Sequence, residues 1–407
     1  MFVNGAVTQL DANVIAGWVA GSDELSGPLH IDIRYRGVVI SSGAAEQNPA
    51  GGGNDETDHR FFFQLPMPTF LPQSERRELE AWLRDPSQRL SNYSDAYEGL
   101  PQGFPSRSLF GGLWSDRPDW MNELNARRAA GDVSEELAGL IESFATNGFV
   151  VIKRAVEAEL VDKLNAEIER FWDAPPTGLL IETFEPDSVL HYVQPNKEFR
   201  AGRTKLLDLY AFSSLAREAI STPRIVEFLT AIFESKPKAI QGLAFWTGSE
   251  QALHKDSAYV KIDTAPMNLV ASWLALEDIS VGTGELEYYV GSHQAPEFLF
   301  GGSHKWLENN PGEHDSFLAS IHEDARVYGY GRASFNARKG DVLIWHADLA
   351  HGGASIVNRE MTRKSLVTHF TSMVDEPYYR RYNSHKVFET RDCGFVSNYA
   401  DVPAAGS

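Results

Sequence analysis

The first 70 residues alternate between apolar and polar positions in the manner of short β-strands. Four stretches are rich in β-branched and aromatic residues and are separated by Gly and Asp, at residues 14–19, 30–35, 38–41 and 61–65. This pattern predicts a small antiparallel β domain over residues 1–70. It is either a docking or oligomerisation module or an inert structural cap. A short polar helix is expected over residues 73–84, within a Pro-, Gly- and Ser-rich linker at 71–115.

A larger unit is expected over residues 116–395, where the pattern first takes a helical period. Ser134 can cap a helix whose apolar positions 137, 140, 141 and 144 share one face, and Gly148 can end it. A strand at 149–152 and a second amphipathic helix with apolar positions 160, 164, 168 and 171 follow. From residue 237 onward strands dominate, and they are predicted at 239–246, 269–276, 285–290, 342–345 and 366–371.

Many strands after a few helices indicate a mostly β fold, a sandwich or jelly roll braced by helices. Residues 294–335 are polar and irregular in pattern, and they are too long for an ordinary connection, so a lid or an insertion is expected there. Residues 396–407 are expected to form a C-terminal tail.

Composition narrows the classes of partner. The 407 residues carry 37 Lys and Arg against 56 Asp and Glu, a formal net charge of −19, which argues against nucleic acid or an anionic membrane. A single cysteine, Cys393, excludes an intramolecular disulfide framework. The N-terminal residues lack the basic and long apolar regions of a signal peptide, and no run reaches the ~18 apolar residues of a membrane span. A cytoplasmic protein is therefore expected.

The candidate chemistry centres on His254 and Asp256. Two residues apart on an extended strand, their side chains would point to the same face and could hold adjacent positions on one metal ion. Iron(II) sites of the two-His-one-carboxylate type need this pair and one more His, and they leave the remaining positions open. The same His-x-Asp spacing occurs at three other places, 30/32, 322/324 and 346/348. We reject these three because of their context: the small N-terminal domain, the polar insertion and a single tight turn.

His351 is the expected third ligand, because it follows a predicted strand far from His254 in the sequence. The two glycines after His351 would allow a close approach of the backbone to a ligand. Arg363 opens a later strand, and its guanidinium is suited to bind a carboxylate through two hydrogen bonds. Ser365, two residues on, would face the same way and add a hydroxyl group.

These motifs, in this order, resemble the phytanoyl-CoA dioxygenase family of iron(II)- and 2-oxoglutarate-dependent oxygenases. The resemblance covers roughly residues 138–370. The matching segments are NGFVVI at 147–152, LHKDS at 253–257, WLALED at 273–278, 284–293, GDVLIWH at 340–346 and 351–363.

The resemblance implies a double-stranded β-helix and an oxygenase that uses Fe(II), 2-oxoglutarate and O2. It implies iron held by His254, Asp256 and His351, with 2-oxoglutarate chelating the iron. Its distal carboxylate would bind the residues that follow, and the other family positions would line the cosubstrate pocket. The implied cosubstrate residues are Arg363, Ser365, Gln251, Trp273 and Lys205.

The implied reaction is hydroxylation, or another oxidation, of an unactivated C–H bond in a small-molecule metabolite, with release of succinate and CO2. Halogenating relatives have a small residue at the position of Asp256, so its carboxylate points to oxygenation. Two alternatives stay open. One is a non-catalytic metal- or ligand-binding protein on the same scaffold, and the other is a cupin-like metalloenzyme that does not use 2-oxoglutarate.

Overall fold

The computed structural model describes residues 3–10, 14–21, 29–35, 37–47, 60–66, 79–84, 87–90 and most of 108–400. Within the last range the description omits residues 109, 111, 118, 185–186, 188, 263–264, 303 and 382–387. The chain forms two compact units. One consists of Met1–Ser108 with Ala295–Gly329, and the other of Leu109–Gln294 with Tyr330–Ser407.

The described residues form twenty strands and six α-helices. The strands of the first part of the chain are β1 (Val3–Leu10), β2 (Val14–Gly21), β3 (Leu29–Tyr35), β4 (Val38–Gln47), β5 (Arg60–Pro66), β6 (Leu79–Leu83), β7 (Gln88–Arg89), β8 (Phe149–Ile152), β9 (Ile181–Thr183) and β10 (His191–Val193). The later strands are β11 (Thr204–Leu207), β12 (Pro237–Phe245), β13 (Val270–Ala275), β14 (Leu286–Tyr289), β15 (Arg332–Phe335), β16 (Val342–His346), β17 (His351–Gly353), β18 (Ser365–Ser372), β19 (Phe388–Glu389) and β20 (Gly394–Phe395). The helices are α1 (Trp120–Ala130), α2 (Glu135–Asn147), α3 (Ala158–Asp173), α4 (Ser214–Ile220), α5 (Pro223–Phe233) and α6 (His314–Tyr328).

The first unit contains a seven-stranded antiparallel sheet in the order β1-β2-β5-β4-β3-β6-β7. The small N-terminal β domain is thus confirmed, but the polar helix expected over residues 73–84 is wrong in its described part. Leu79, Ala81 and Leu83 instead alternate inward on β6, which pairs with β3. Burial of these three side chains against the sheet decides the structure over local helical preference.

The insertion is more regular than its polar composition indicates. It contains the 15-residue helix α6, and an aromatic cluster forms from Phe298, Phe300 and Phe317, whose ring centroids lie 5.0–5.6 Å apart. Its last four residues form β15, which pairs with β14 in the second unit. The expectation of an irregular segment over all of 294–335 is therefore wrong. Residues 295–329 belong to the first compact unit.

The second unit is a double-stranded β-helix flanked by helices, as predicted. Its large sheet follows the order β10-β9-β11-β12-β18-β13-β16-β8, and a smaller sheet follows the order β15-β14-β17. Side chains from the facing sides of both sheets, such as Trp273, Leu343, Leu286 and Tyr288, share one buried cluster. The opposite side of the large sheet packs on the helices in a second cluster. Each central strand is therefore buried on both faces, as the nearly continuous apolar run of β13 predicts.

Helix α2 is capped at its two ends by the residues that the sequence indicates, Ser134 and Gly148. Ser134 caps it by accepting a hydrogen bond from the Leu137 N–H at 3.1 Å, as predicted. Gly148 ends it in a left-handed conformation with φ 81°. A Cβ at Gly148 would lie 2.5 Å from His293 Nδ1, so this position requires glycine for space as well as for conformation.

Strand β18 determines which side chains face the interior between the two sheets. Leu366 and Phe370 belong to the cluster on the helix side, whereas Val367 belongs to the cluster between the sheets. Because alternate residues of a strand point the same way, Ser365 and His369 share the inner face with Val367. The two lie four residues apart, about 13 Å along the strand.

Candidate metal centre

The backbone holds His254 and His351 directly against each other. The His254 N–H donates to the His351 carbonyl at 2.8 Å, and the His351 N–H donates to the His254 carbonyl at 2.9 Å. These two hydrogen bonds form an isolated antiparallel bridge. Asp256 is not on a strand as expected, since it begins the 3-10 helix Asp256–Ala258. The turn still brings its carboxylate to both imidazoles.

The two glycines after His351 serve this approach of two chain segments. A Cβ at Gly352 would lie 2.6 Å from the backbone oxygen of Gln251, and one at Gly353 would lie 2.6 Å from Ser249 Oγ. No side chain fits at either distance without a shift of the neighbouring segment. The glycines thus permit the close approach of the chain segment that carries His254, and their approach to a ligand stays a prediction.

Three ligand atoms converge on one small volume. Asp256 Oδ1 lies 3.6 Å from His254 Nε2 and 3.5 Å from His351 Nε2, and one ligand atom from each residue lies within 4.8 Å of the others. All three residues are buried. Among the described residues, no other group of His, Cys, Asp and Glu has a geometry that could hold a metal ion.

Backbone carbonyls fix the tautomers of both imidazoles. His254 Nδ1 lies 2.9 Å from the Ala252 carbonyl oxygen, and His351 Nδ1 lies 2.9 Å from that of Leu349. A carbonyl can only accept, so each Nδ1 carries the proton and each Nε2 presents a lone pair. Burial lowers the pKa of His351 to about 4, which keeps its ring neutral at physiological pH. Two imidazole Nε2 lone pairs and one carboxylate are a donor set that fits a divalent transition metal.

Asp256 is kept ionised by its surroundings. Burial alone would raise the pKa of its carboxyl, but the neighbouring imidazoles of His351, His369 and His254 hold that pKa well below its usual range. Its second oxygen, Oδ2, accepts a hydrogen bond from Trp345 Nε1 at 2.7 Å. The carboxylate therefore stays anionic and oriented with Oδ1 toward the imidazoles.

Arg363 lies on the same inner surface and is buried. Its Nε donates to the Gly284 carbonyl at 2.9 Å, and its Nη1 donates to Ser365 Oγ at 2.5 Å. The guanidinium carbon lies 5.3 Å from the ring centroid of Phe245 and 5.6 Å from that of Trp273. Burial lowers the pKa of Arg363 to about 10, so the cation persists at neutral pH. Its Nη2 makes no hydrogen bond within the described part of the chain, which leaves it a donor for an anion.

Comparison of the sequence with models of protein families agrees with the fold, the triad and the nearby cation. The sequence model of phytanoyl-CoA dioxygenase (PhyH) matches residues 144–365, just over half of the chain. The chain belongs to the PhyH family. No curated protein sequence matches it significantly.

Solved structures resemble the PhyH domain only distantly. The epimerase SnoN in complex with Fe3+, alpha ketoglutarate and nogalamycin RO is 18% identical, with a TM-score of 0.45, over 59% of this chain and 85% of that chain. EctD from S. alaskensis with bound Fe is 13% identical, with a TM-score of 0.43, over 59% and 77%. HygX from Streptomyces hygroscopicus with nickel and 2-oxoglutarate bound is 19% identical, with a TM-score of 0.39, over 60% and 88%. These similarities are too low to assign chemistry to this chain.

The remaining predicted site residues of the PhyH domain have clear positions. Ser365 accepts a hydrogen bond from Arg363, and the Trp273 ring lies beside the Arg363 guanidinium. Their contacts with a cosubstrate stay predictions. Gln251 Nε2 lies 3.2 Å from His254 Nε2, so its amide adjoins the nitrogen that would bind a metal. Lys205 stands apart from this group, since its Nζ lies 2.6 Å from Glu182 Oε1. It pairs with Phe245 in the sheet, which in turn pairs with Ser365.

Two of the three rejected His-x-Asp pairs, 30/32 and 346/348, have structural partners in place of a metal. Asp32 forms an ion pair with Arg84 at 2.5 Å. His346 Nε2 lies 3.3 Å from Asp116 Oδ2, and the Asp348 carboxylate accepts a hydrogen bond from the Ser257 hydroxyl. Ser257 directly follows Asp256, so this last pair helps to hold the turn that carries Asp256.

Sequence reasoning missed two residues beside the triad, Trp345 and His369. His369 Nε2 lies 3.2 Å from Asp256 Oδ2, the same oxygen that accepts the hydrogen bond from Trp345. Both residues lie on strands that the sequence predicts, but their convergence depends on strand register. In that register Ala271 of β13 pairs with Trp345 on one side and with His369 on the other. No helix among the described residues is long and apolar enough to cross a membrane.

Proposed function

We propose that this protein is an Fe(II)- and 2-oxoglutarate-dependent dioxygenase that hydroxylates an unactivated C–H bond of a small-molecule metabolite. The observation that carries the proposal is the convergence of His254, Asp256 and His351, three buried ligand atoms within 4.8 Å of one another. Membership of the PhyH family supports the same conclusion.

The chemistry of the donor set fits iron(II). Both imidazoles present Nε2 lone pairs fixed by backbone carbonyls, and the carboxylate is ionised. With 2-oxoglutarate and O2, the iron would supply the oxidising power for C–H oxidation and release succinate and CO2. The contribution of the chain is to hold the ligands in place and to exclude water from a buried site.

The cosubstrate would bind between the triad and Arg363. On β18, Ser365 lies at the Arg363 end of this space and His369 lies at the triad end, ~13 Å apart along the strand. Side chains reach inward from both ends, so a dicarboxylate can span the distance that remains. The distal carboxylate would accept hydrogen bonds from Arg363, whose charge is otherwise buried without an ion-pair partner within hydrogen-bond distance among the described residues. Trp273 would form the wall of this space, and Gln251 would lie beside the metal.

Lys205 stays a prediction as a cosubstrate ligand. Lys205 pairs with Phe245, and Phe245 pairs with Ser365 on the next strand. Lys205 is therefore two strands, or about 10 Å, from Ser365 and points to the same face of the sheet. Its ion pair with Glu182 favours a position on the wall of the pocket over a direct contact with the cosubstrate.

Asp256 distinguishes hydroxylation from halogenation. Its carboxylate oxygen would occupy a coordination position that a halide needs. Asp256→Ala should therefore abolish 2-oxoglutarate turnover, measured as succinate formation. Full hydroxylation by this variant would rule out the assignment.

The direct test is an anaerobic titration of the apo protein with Fe(II) and 2-oxoglutarate. A competent site gives a weak visible charge-transfer band that appears only when both are present, and titrations with Fe(II) alone and with 2-oxoglutarate alone are the negative controls. Absence of the band from the wild-type protein would contradict the proposal. A screen of metabolite pools for substrate-stimulated succinate release would then identify the substrate.

A further inference from the structure

Asp256 Oδ1 lies beside His254 and His351, and the other carboxylate oxygen, Oδ2, contacts two further buried side chains. Trp345 Nε1 donates to Oδ2 at 2.7 Å, and His369 Nε2 lies 3.2 Å from the same oxygen. We propose that His369 and Trp345 are positioning residues that keep Oδ2 away from the metal, so that Asp256 binds through Oδ1 alone. The inference rests on the proposed metal site.

Strand register builds this arrangement. On adjacent strands, His369 pairs with Ala271 and Ala271 pairs with Trp345, so the two large side chains lie two strands apart, about 10 Å. The residue between them is alanine, whose methyl group leaves room above the sheet for the carboxylate. The turn at Asp256 delivers that carboxylate from outside the sheet.

His369 has an unmet hydrogen-bonding capacity directly beside the candidate metal centre. Its side chain is buried, at 3% exposure, and neither ring nitrogen makes a well-aligned hydrogen bond within the described part of the chain. Burial of an unpaired polar group costs about 1–3 kcal/mol, and leucine would fill similar space without that cost. A small tilt of the ring would align the Nε2–H with Oδ2, the acceptor already within 3.2 Å.

The number of coordination positions shows why this orientation matters. A facial site with two imidazoles and one carboxylate oxygen leaves three of six positions open. Chelating 2-oxoglutarate uses two of them and O2 the third. If Asp256 bound through both oxygens, one of these positions would be lost. The Trp345 donor on Oδ2, together with His369 Nε2 beside it, therefore protects the position on which the proposed reaction depends.

The test uses Co(II) as a stable, visible probe of the metal site. His369→Leu removes the donor and should weaken Co(II) binding by roughly 10- to 100-fold, the usual effect of losing a residue that orients a metal ligand. It should also change the visible Co(II) spectrum and reduce its response to 2-oxoglutarate. His369→Gln, which keeps an N–H donor, should restore most of the affinity, and Trp345→Phe should resemble His369→Leu.

The matched control is Thr368→Val. Thr368 is the adjacent residue of β18, fully buried on the opposite face, and its hydroxyl makes no hydrogen bond within the described chain. This variant should leave the Co(II) affinity and spectrum unchanged.

Wild-type Co(II) affinity and spectrum in both His369→Leu and Trp345→Phe would overturn the inference. If His369→Leu fails to fold, His369→Gln and Trp345→Phe decide between the outcomes, because both keep a bulky side chain. A wild-type protein that binds Co(II) but shows no response to 2-oxoglutarate would refute the proposed function. The effect of the two positions on metal affinity would then still test this inference.

Discussion

Replacement of Arg363 by methionine should change cosubstrate affinity and protein stability in opposite directions. Methionine keeps much of the length of the side chain but removes the charge and the hydrogen-bond donors. In the free protein, the guanidinium is buried between Phe245 and Trp273 without an ion-pair partner within hydrogen-bond distance among the described residues. A buried cation in this state destabilises the folded protein until an anion binds to it.

The magnitudes follow from the site. A pKa of Arg363 that falls from 12.5 to about 10 corresponds to a net penalty of about 3 kcal/mol for the buried charge, after the attraction of Glu277 and Glu285. The variant loses hydrogen bonds to the Gly284 carbonyl and to Ser365, each worth about 1 kcal/mol. The free energy of unfolding should therefore stay equal or rise by about 1 kcal/mol. Loss of the contacts to the distal carboxylate should weaken 2-oxoglutarate by about 3 kcal/mol, roughly 100-fold in Kd.

Two measurements check this prediction. The Kd for 2-oxoglutarate comes from the anaerobic charge-transfer band with Fe(II), and the free energy of unfolding comes from urea denaturation of the apo protein. Arg363→Lys is the matched control, because it keeps the charge but loses the planar fork, and its affinity should lie between the other two. A Kd of Arg363→Met within threefold of wild type would refute the carboxylate-binding role. A loss of several kcal/mol in stability would refute the desolvation reasoning.

Three further changes test other parts of the structure. Gly352→Ala should cost roughly 1–3 kcal/mol in urea denaturation and weaken Co(II) binding, because its Cβ would lie 2.6 Å from the Gln251 oxygen; unchanged Co(II) affinity would contradict this. Ser134→Ala should cost about 1 kcal/mol through the lost cap and leave Co(II) binding intact. Burial raises the pKa of Asp208 from 3.8 to about 6, so the folded protein binds this proton more tightly than the unfolded chain. Wild-type stability should fall by about 3 kcal/mol as pH rises from about 4 to 6, and Asp208→Asn should remove most of that fall.

The helices and central strands were predictable because their signals are local. Ser134 and Gly148 lie at the ends of one helix, and the apolar run of β13 reports burial on both faces. The segment 79–83 was mistaken for helix because its alternation is short and its partner, β3, lies more than 40 residues earlier. Local composition carries no information on such pairing. Burial against β3 therefore decides the structure of this segment, and its local preference for helix does not.

The triad was predictable for a different reason. The sequence after His351 contains residues that indicate a binding site. Gly352 and Gly353 signal close approach, and Arg363 signals an anion. His369 carries no such local signal. It is one histidine in a buried strand, and its proximity to Asp256 follows from the register of β18 against β13. A register shift of one residue would turn it to the helix side.

The four His-x-Asp pairs have the same local sequence pattern but different electrostatic surroundings. The oxygens of Asp32 bind Arg84 and Ser42, and Asp348 binds the Ser257 hydroxyl. Asp256 alone among these three keeps one oxygen directed at two imidazole nitrogens while Trp345 and His369 surround the other. A carboxylate whose oxygens are divided in this way presents a defined lone pair to a cation, whereas an oxygen saturated by Arg or hydroxyl donors does not. The partners of the second oxygen, and not the spacing of His and Asp, therefore separate Asp256, the proposed metal ligand, from Asp32 and Asp348.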